Sequence, residues 1–275
     1  MAKINILIPT INERVLGLKK IINDSQKDIT YTVSHQITKD LSGSTREYVI
    51  ELQNKGNVIY TTLDSSGVAK NRNNCLKHRV RGAVCFFGDD DVEYDYVNLL
   101  KIAQRLTQSD GIDFLTFKIM KSPEEEYKKY RDRPFTHTLR TLSNIGIIDV
   151  AFKEETIEKY NLAFDERFGP GGHYPIGEDF IFLTDALKSG ARIEFVPLPV
   201  VYHKDEGTGY RLEPDIVFGR GAMFGRVFGR MAPPAALYHG VKKYRFYKSR
   251  FGFPDYMKLL FAGIVDFCFK RYRCE

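Results

Sequence analysis

Two rhythms of apolar and polar positions alternate along the chain. Ile4–Ile8 is a short β-branched and apolar run closed by Pro9, which predicts a buried strand. From Glu13 to Ile22 the apolar positions 15, 16, 18, 21 and 22 follow a helical period. Thr30–Gln36 reads as a second strand. Ser44 and Glu47 have the spacing of a capping box ahead of a helix ending near Asn54, with Gly56 as its stop. Val58–Thr61 is then a strand, Lys70–Val80 a helix, Ala83–Phe87 a strongly apolar strand, Tyr96–Leu106 a helix and Phe114–Met120 a strand.

Strands and helices in this alternation build βαβ units, so the expected fold class is α/β, a Rossmann-like, mainly parallel sheet flanked by helices. Ligands of such sheets bind beyond the carboxyl ends of the strands, here just after residues 8, 36, 61 and 87. Residues 121–146 are charged and irregular and read as a surface excursion or mobile loop. Ile147–Phe152 and Arg192–Val196 return to strand character around a helix, Ile181–Lys188, and Val200–His203 follows a strand. After Gly209 the texture changes to Gly, Arg and aromatics. The expected division is a catalytic domain over 1–208, in halves of about 1–119 and 147–208, and a helical, basic and aromatic extension over 209–275.

With 275 residues, 43% hydrophobic and 28% charged, the chain is an ordinary globular composition, which excludes disorder as its main state. No stretch approaches the roughly 20 apolar residues of a spanning helix, and the apolar run at the N-terminus is too short for a signal-peptide core. Cysteines at 75, 85, 268 and 274 form no Cys-x-x-Cys pair, which argues against a disulfide scaffold or a structural zinc site. A reducing, cytoplasmic setting is expected. The formal charge of +6 is uneven: residues 209–275 carry +8 and residues 1–208 carry −2. The basic excess belongs to the tail.

Phe86-Phe87-Gly88-Asp89-Asp90-Asp91 is the most informative segment. Adjacent carboxylates repel one another, so they gather where a cation or solvent takes up the charge. On extended backbone Asp89 and Asp91 point the same way and address one site, while Asp90 faces elsewhere. Oxygen ligands of this kind suit Mg2+ or Mn2+ bridging carboxylates to phosphates; a solvated acidic turn is the plainer reading. A second acidic pair, Glu178-Asp179, follows a glycine-rich approach, Phe168-Gly169-Pro170-Gly171-Gly172. At a helix N-terminus these carboxylates stay ionised and either cap the helix or serve as a general base toward a hydroxyl. His203 closes the α/β region, as a structural histidine or as a metal or phosphate ligand.

Together these segments resemble the family 2 glycosyltransferases of the GT-A fold, over residues 3 to 209 and in the family's order. Ile8-Pro9-Thr10-Ile11-Asn12-Glu13 resembles its Pro-Thr-x-Asn-Glu motif, which implies that Pro9, Thr10, Asn12 and Glu13 hold the nucleoside. Gly67–Asn73 resembles the segment whose Arg-Asn pair faces the nucleotide, bringing in Arg72 and Lys70. Asp89-Asp90-Asp91 is similar to the Asp-x-Asp motif. That implies nucleotide contacts from Asp89 and Asp90 and a Mn2+ or Mg2+ ion held by Asp89, Asp91 and His203. Gly177-Glu178-Asp179 resembles the acceptor-side motif, which implies Asp179 as catalytic base with Glu178 beside it. The family's aspartates after the second strand are missing here; the stretch reads Val33–Asp40, and Gln36 or Asp40 takes over base recognition.

The resemblance implies inverting, metal-dependent transfer of a hexose from a nucleotide sugar, with a UDP-hexose as the expected donor, to a glycan or lipid-linked acceptor in surface polysaccharide synthesis. In the tail, Phe218, Phe224 and Phe228 interleave with Arg220, Arg226 and Arg230, and Gly221, Gly225 and Gly229 fall on one helical stripe. Tyr256–Phe269 is interrupted by Lys258 and Asp266 and does not span a bilayer, so 209–275 either docks on an anionic membrane, with this stretch as an interfacial helix, or forms a helical subdomain with a solvated basic face. Nucleic acid is a lesser candidate partner. Two other classes remain: a nucleotidyltransferase, which should carry a Gly-rich signature with Arg or Lys after the first strand, and a non-catalytic membrane or nucleic-acid adaptor.

Overall fold

In the computed structural model, which describes residues 2–22, 26, 28–204 and 212–270, the first apolar run is a strand, β1 (Ile4–Ile11). Its first seven residues are all buried. Continuous burial is what a central parallel strand covered on both faces requires. The segment with the helical period is a 3-10 helix, Asn12–Lys20, whose buried Val15 and Leu18 are three residues apart, as three residues per turn demands. Gly17 lets this turn press on the loop after the fourth strand: a Cβ there would overlap the Asp90 carbonyl oxygen.

β2 (Ile29–Gln36), α1 (Gly43–Gln53), β3 (Val58–Leu63), α2 (Val68–Lys77) and β4 (Val84–Phe87) follow. The N-cap of α1 is Ser42, not Ser44: the Ser42 hydroxyl accepts from the Thr45 amide at 3.3 Å. Next come β5 (Glu93–Tyr94), α3 (Tyr96–Gln108), β6 (Phe114–Ser122), β7 (Glu125–Glu126), β8 (Phe135–Thr136) and α4 (Leu139–Leu142). A 3-10 turn at Ile147–Asp149 then leads into β9 (Val150–Lys153), shorter than the expected strand. α5 (Thr156–Lys159), α6 (Glu178–Lys188) and β10 (Ile193–Tyr202) complete this region. Helix α6 starts three residues before the expected start, and β10 runs unbroken through the segment Val200–Tyr202.

Residues 121–146 carry regular structure where an irregular excursion was expected. β7 pairs with β6 and β8 with β10, and the charges find partners within the fold. Lys128 Nζ donates to the buried Asp149 Oδ2 at 2.7 Å, and the Tyr130 ring stacks on Phe195 with centroids 5.9 Å apart.

The sheet order is β3-β2-β1-β4-β9-β6-β10-β5. β1 is parallel to β2 and β4, β2 to β3, and β6 to β10; β9 runs antiparallel between β4 and β6. The chain winds outward from β1 to β2 and β3 on one side and returns to β4 on the other. The crevice between the ends of β1 and β4 is therefore the topological switch point, where α/β sheets bind ligands.

Among the described residues the chain divides into two compact units: residues up to 66, 70–164 and 182–204, and residues 67–69, 165–181 and 212–270. The expected boundary at 208/209 and Cys274 lie outside the described residues. The core of the first unit is aromatic: Phe87 packs on Phe152, Phe164 and Phe182 with centroids 5.1, 5.4 and 5.7 Å away. The second unit holds α7 (Pro214–Phe228), a 3-10 turn at Gly229–Met231, α8 (Ala232–Tyr247) and α9 (Phe253–Lys270). Their core comprises Val217, Phe224, Ala236, Tyr247, Tyr256, Leu260 and Ile264. Gly221 sits where a Cβ would overlap the Leu260 carbonyl oxygen, and Gly225 lies against Phe267 and Ile264. Gly229 leaves this stripe, because its positive φ of 53° ends α7.

Candidate active site

Asp89, Asp90 and Asp91 emerge at the switch point, but Asp90 and Asp91 lie in a turn rather than on extended backbone. The strand alternation that would bring Asp89 and Asp91 to one point does not apply there, and each aspartate has its own partners. Asp90 is buried and accepts from Thr10 Oγ1 at 2.7 Å and from Arg14 Nε at 2.9 and 3.0 Å. Asp91 Oδ2 accepts from Arg14 Nη2 at 2.8 Å, and its Oδ1 lies 3.4 Å from His203 Nε2. The contact with His203, with the nearby Arg14 charge, lowers the Asp91 carboxyl below its usual range. Asp89 Oδ1 is 3.7 Å from the buried Arg72 guanidinium, which lies over the Phe164 ring at 5.6 Å.

The β1 exit is braced by the same motif that carries the resemblance. Pro9 and Thr10 are buried at the end of β1, and Asn71 Nδ2 donates to the Thr10 carbonyl at 2.9 Å. Asn12, at a left-handed φ of 48°, accepts from the Thr38 amide at 2.9 Å and donates to Thr38 Oγ1 at 2.9 Å. Its side chain therefore clasps the segment after β2. Glu13 caps α1: it accepts from the Ser42 amide at 2.9 Å, from the Ser42 hydroxyl at 3.0 Å and from the Thr45 hydroxyl. Those bonds, Thr45 first, hold its carboxyl below the usual range. Gln36 is buried at the end of β2, in register with Ile11 and Leu63. Lys70 is exposed on α2.

Glu178 and Asp179 open α6 in the second unit. The glycine-rich approach is a tight backbone knot: the Gly169 amide donates to the Tyr174 carbonyl at 2.9 Å, the Gly172 amide to the Gly169 carbonyl at 2.8 Å, and the Val68 amide to the Pro170 carbonyl at 2.9 Å. Glu178 is buried against Gly169, whereas Asp179 is half-buried. Asp165 anchors the knot, accepting from Arg167 Nε at 2.8 Å and Arg226 Nε at 3.0 Å.

Among the described residues no three His, Cys, Asp or Glu side chains converge on one point, so Asp89, Asp91 and His203 are not a closed cage. Asp91 offers the carboxylate oxygen that Mg2+ or Mn2+ takes, and the His203 imidazole nitrogen stands beside it as a second donor. Their facing atoms are 3.4 Å apart, close to the spacing of about 3 Å between adjacent ligands of an octahedral ion. Such ions take one or two protein carboxylates and complete their shell with substrate phosphates and water. Two site residues escape a motif reading. Arg14 lies one position past the Pro-Thr-x-Asn-Glu motif, and only the sheet topology puts it on the aspartates. The Tyr127 ring, 5.9 Å from His203, belongs to a segment whose sequence carries no periodicity.

The family model described as "Glycosyl transferase family 2" matches residues 5–183. Among solved structures, S. aureus TarS 1–349 in complex with UDP-GlcNAc aligns with a TM-score of 0.66 at 17% identity, covering 96% of this chain and 80% of that one. The same protein in complex with UDP aligns with a TM-score of 0.58 at 14% identity, covering 96% and 83%. Mannosyltransferase PcManGT from Pyrobaculum calidifontis, in complex with GDP-Man and Mn2+, aligns with a TM-score of 0.57 at 15% identity, covering 98% and 88%. Comparison with curated proteins finds no match. These structures share the GT-A fold with this chain. The family model spans both the aspartate turn at the switch point and the start of α6, and the chain accordingly belongs to glycosyl transferase family 2 and is a glycosyltransferase.

Proposed function

We propose that this enzyme is an inverting, metal-dependent transferase that moves a hexose from a UDP-linked donor to a hydroxyl of a glycan or lipid-linked acceptor in surface polysaccharide synthesis. Its setting in this reading is the cytoplasm, at the cytoplasmic face of a membrane. The observation that carries the proposal is the approach of Asp91 and His203 at the switch point, in the same crevice edge that the fold reserves for ligands. The UDP-GlcNAc and UDP complexes of TarS support a uridine donor, and the Mn2+ complex of the mannosyltransferase supports a divalent ion.

In this reading Asp91 and His203, with Asp89, would hold Mn2+ or Mg2+, and the ion when bound neutralises charge building on the departing diphosphate. Arg72, held over Phe164 and facing Asp89, adds charge-assisted hydrogen bonds to the same oxygens. Arg14 holds Asp90 in the turn and lies against Asp91 Oδ2, one of the oxygens the ion would use. Pro9, Thr10 and Asn12 shape the floor of the nucleoside site, and Gln36 at the β2 end reads the base through its amide. Asp179 takes the proton of the acceptor hydroxyl as that oxygen attacks the anomeric carbon, and a single displacement inverts it. Glu178, packed into the glycine knot, positions the start of α6. Family membership favours glycosyl over nucleotidyl transfer.

A panel of nucleotide sugars with Mn2+, read as released nucleoside diphosphate, tests the proposal. UDP released from one UDP-hexose, suppressed by EDTA and restored by Mn2+, is expected. Release indifferent to chelation, or confined to donors other than UDP sugars, would overturn the metal or the base assignment respectively.

A further inference from the structure

We infer that the outward faces of α8 and α9 form a docking surface for an anionic lipid bilayer. Helix α8 turns Ala236, Gly240 and Tyr247 inward. On its other side Leu237, Val241 and Tyr244 recur at i, i+4 and i+7 and are 50%, 62% and 45% exposed. Helix α9 repeats the device: Tyr256, Leu260 and Ile264 are buried, while Phe261, Val265 and Phe269 line the outside at steps of four. Large apolar side chains aligned in rows on two neighbouring helices are not the scattered singles of an ordinary surface, and such patches mark interaction sites.

Charge selects the partner. Residues 216–254 contain eight Lys and Arg and no Asp or Glu. Lys242, Lys243, Arg245, Lys248 and Arg250 are exposed on and just after α8, beside its apolar row. An apolar row flanked by long basic side chains is the pattern of a helix lying in the headgroup region, its Leu and Val below and its Lys and Arg reaching anionic phosphates. No helix among the described residues is long and apolar enough to cross a membrane, so the surface lies on the bilayer rather than through it. A second copy fits less well, because a two-fold contact would set the basic side chains of α8 against their own copies. A nucleic-acid strand fits less well too, since Tyr244, Phe261 and Phe269 are interleaved with the aliphatic Leu237, Val241 and Val265, which break any continuous run of rings for successive bases to stack on. This docking face rests on the membrane reading of the acceptor proposed above and names the surface and lipid charge that serve it.

Sedimentation of the full chain with vesicles of phosphatidylcholine, with and without 30 mol% phosphatidylglycerol, tests it without any sugar donor. At least tenfold tighter binding to the anionic vesicles is expected, reduced tenfold or more by the double substitution Leu237→Ser with Val241→Ser. Phe261→Ser with Val265→Ser should weaken binding independently, and these positions are exposed, so circular dichroism should stay unchanged. Equal binding to both vesicles, no binding, or full binding by both double variants would overturn the proposal. So would a dimer in solution that the Leu237/Val241 variant converts to monomer. Donor hydrolysis measured on the same sample separates the two readings. Hydrolysis without vesicle binding overturns the docking face alone, and vesicle binding without hydrolysis overturns the transfer reading alone.

Discussion

Arg14 Nε lies 2.9 and 3.0 Å from the two carboxylate oxygens of Asp90, while the same guanidinium reaches Asp91 Oδ2 at 2.8 Å. A resident cation thus occupies part of the carboxylate surface that a divalent ion would use. Arg14→Ala should remove this competitor and raise Mn2+ affinity several-fold, measured from the free Mn2+ signal in electron paramagnetic resonance. It should also lower stability by about 1–3 kcal/mol, the usual loss when a buried charged group is stripped of a hydrogen-bonding partner, read from urea unfolding. An unchanged Mn2+ affinity would show that Arg14 and the ion do not compete.

Asp179 carries the proposed base function alone. Asp179→Asn should cut turnover about 10²- to 10⁴-fold, the range general bases supply, with donor affinity within twofold of the wild type by calorimetry. Glu178 is buried in the glycine knot, so Glu178→Gln should lower thermal stability along with turnover. Near-native turnover in Asp179→Asn would remove it from the base role.

The strands after which ligands gather were legible because a buried parallel strand leaves a short apolar run bounded by Gly or Pro, as at Pro9, Gly82 and Gly88. Ile4–Ile8 and Ala83–Phe87 predict β1 and β4 to within a few residues. The turn at Asp90-Asp91 was not legible. Its shape comes from Thr10 and Arg14, about 80 positions upstream, so alternation along an assumed extended segment does not describe it. Glu13 has a role its motif does not disclose: its carboxylate caps α1 through Ser42 and Thr45, both remote in sequence. The charged stretch 121–146 reads as solvated because partners such as Asp149 for Lys128 are remote in sequence.

His137 makes stability depend on pH. Its ring lies between Thr116 Oγ1 at 2.8 Å and Thr141 Oγ1 at 3.0 Å, and burial, aided by Lys128 and Arg131, depresses its pKa from 6.5 to about 4. Above pH 6.5 the imidazole is neutral in both folded and unfolded chains. Between pH 6.5 and 4 only the unfolded chain takes up the proton, so stability is lost as pH falls through that window. The loss from this residue is on the order of 2–3 kcal/mol at pH 4. His35 and His239 are shifted in the same direction by burial, so His137→Gln should remove part of the slope, not all of it. Urea midpoints at pH 7.5 and 5 measure this; equal slopes in wild type and variant would contradict the assignment.

The crossing of α7 and α9 depends on glycine at two facing places. A Cβ at Gly221 would overlap the Leu260 carbonyl, and one at Gly263 would overlap the Phe218 carbonyl. In each case the obstacle is backbone, which cannot swing aside as a side chain does. Gly221→Ala gains helix propensity of about 1 kcal/mol, yet the helices must separate, and overpacking of this kind costs about 1–3 kcal/mol. The net effect expected is a fall in Tm of the second unit, larger in Gly221→Val. Gly252→Ala, at an exposed position where a Cβ would press only on the Asp255 carboxylate at 3.2 Å, a side chain that can swing aside, should lower Tm far less. A Gly221→Ala protein as stable as the wild type would mean that the helices do not cross at this contact.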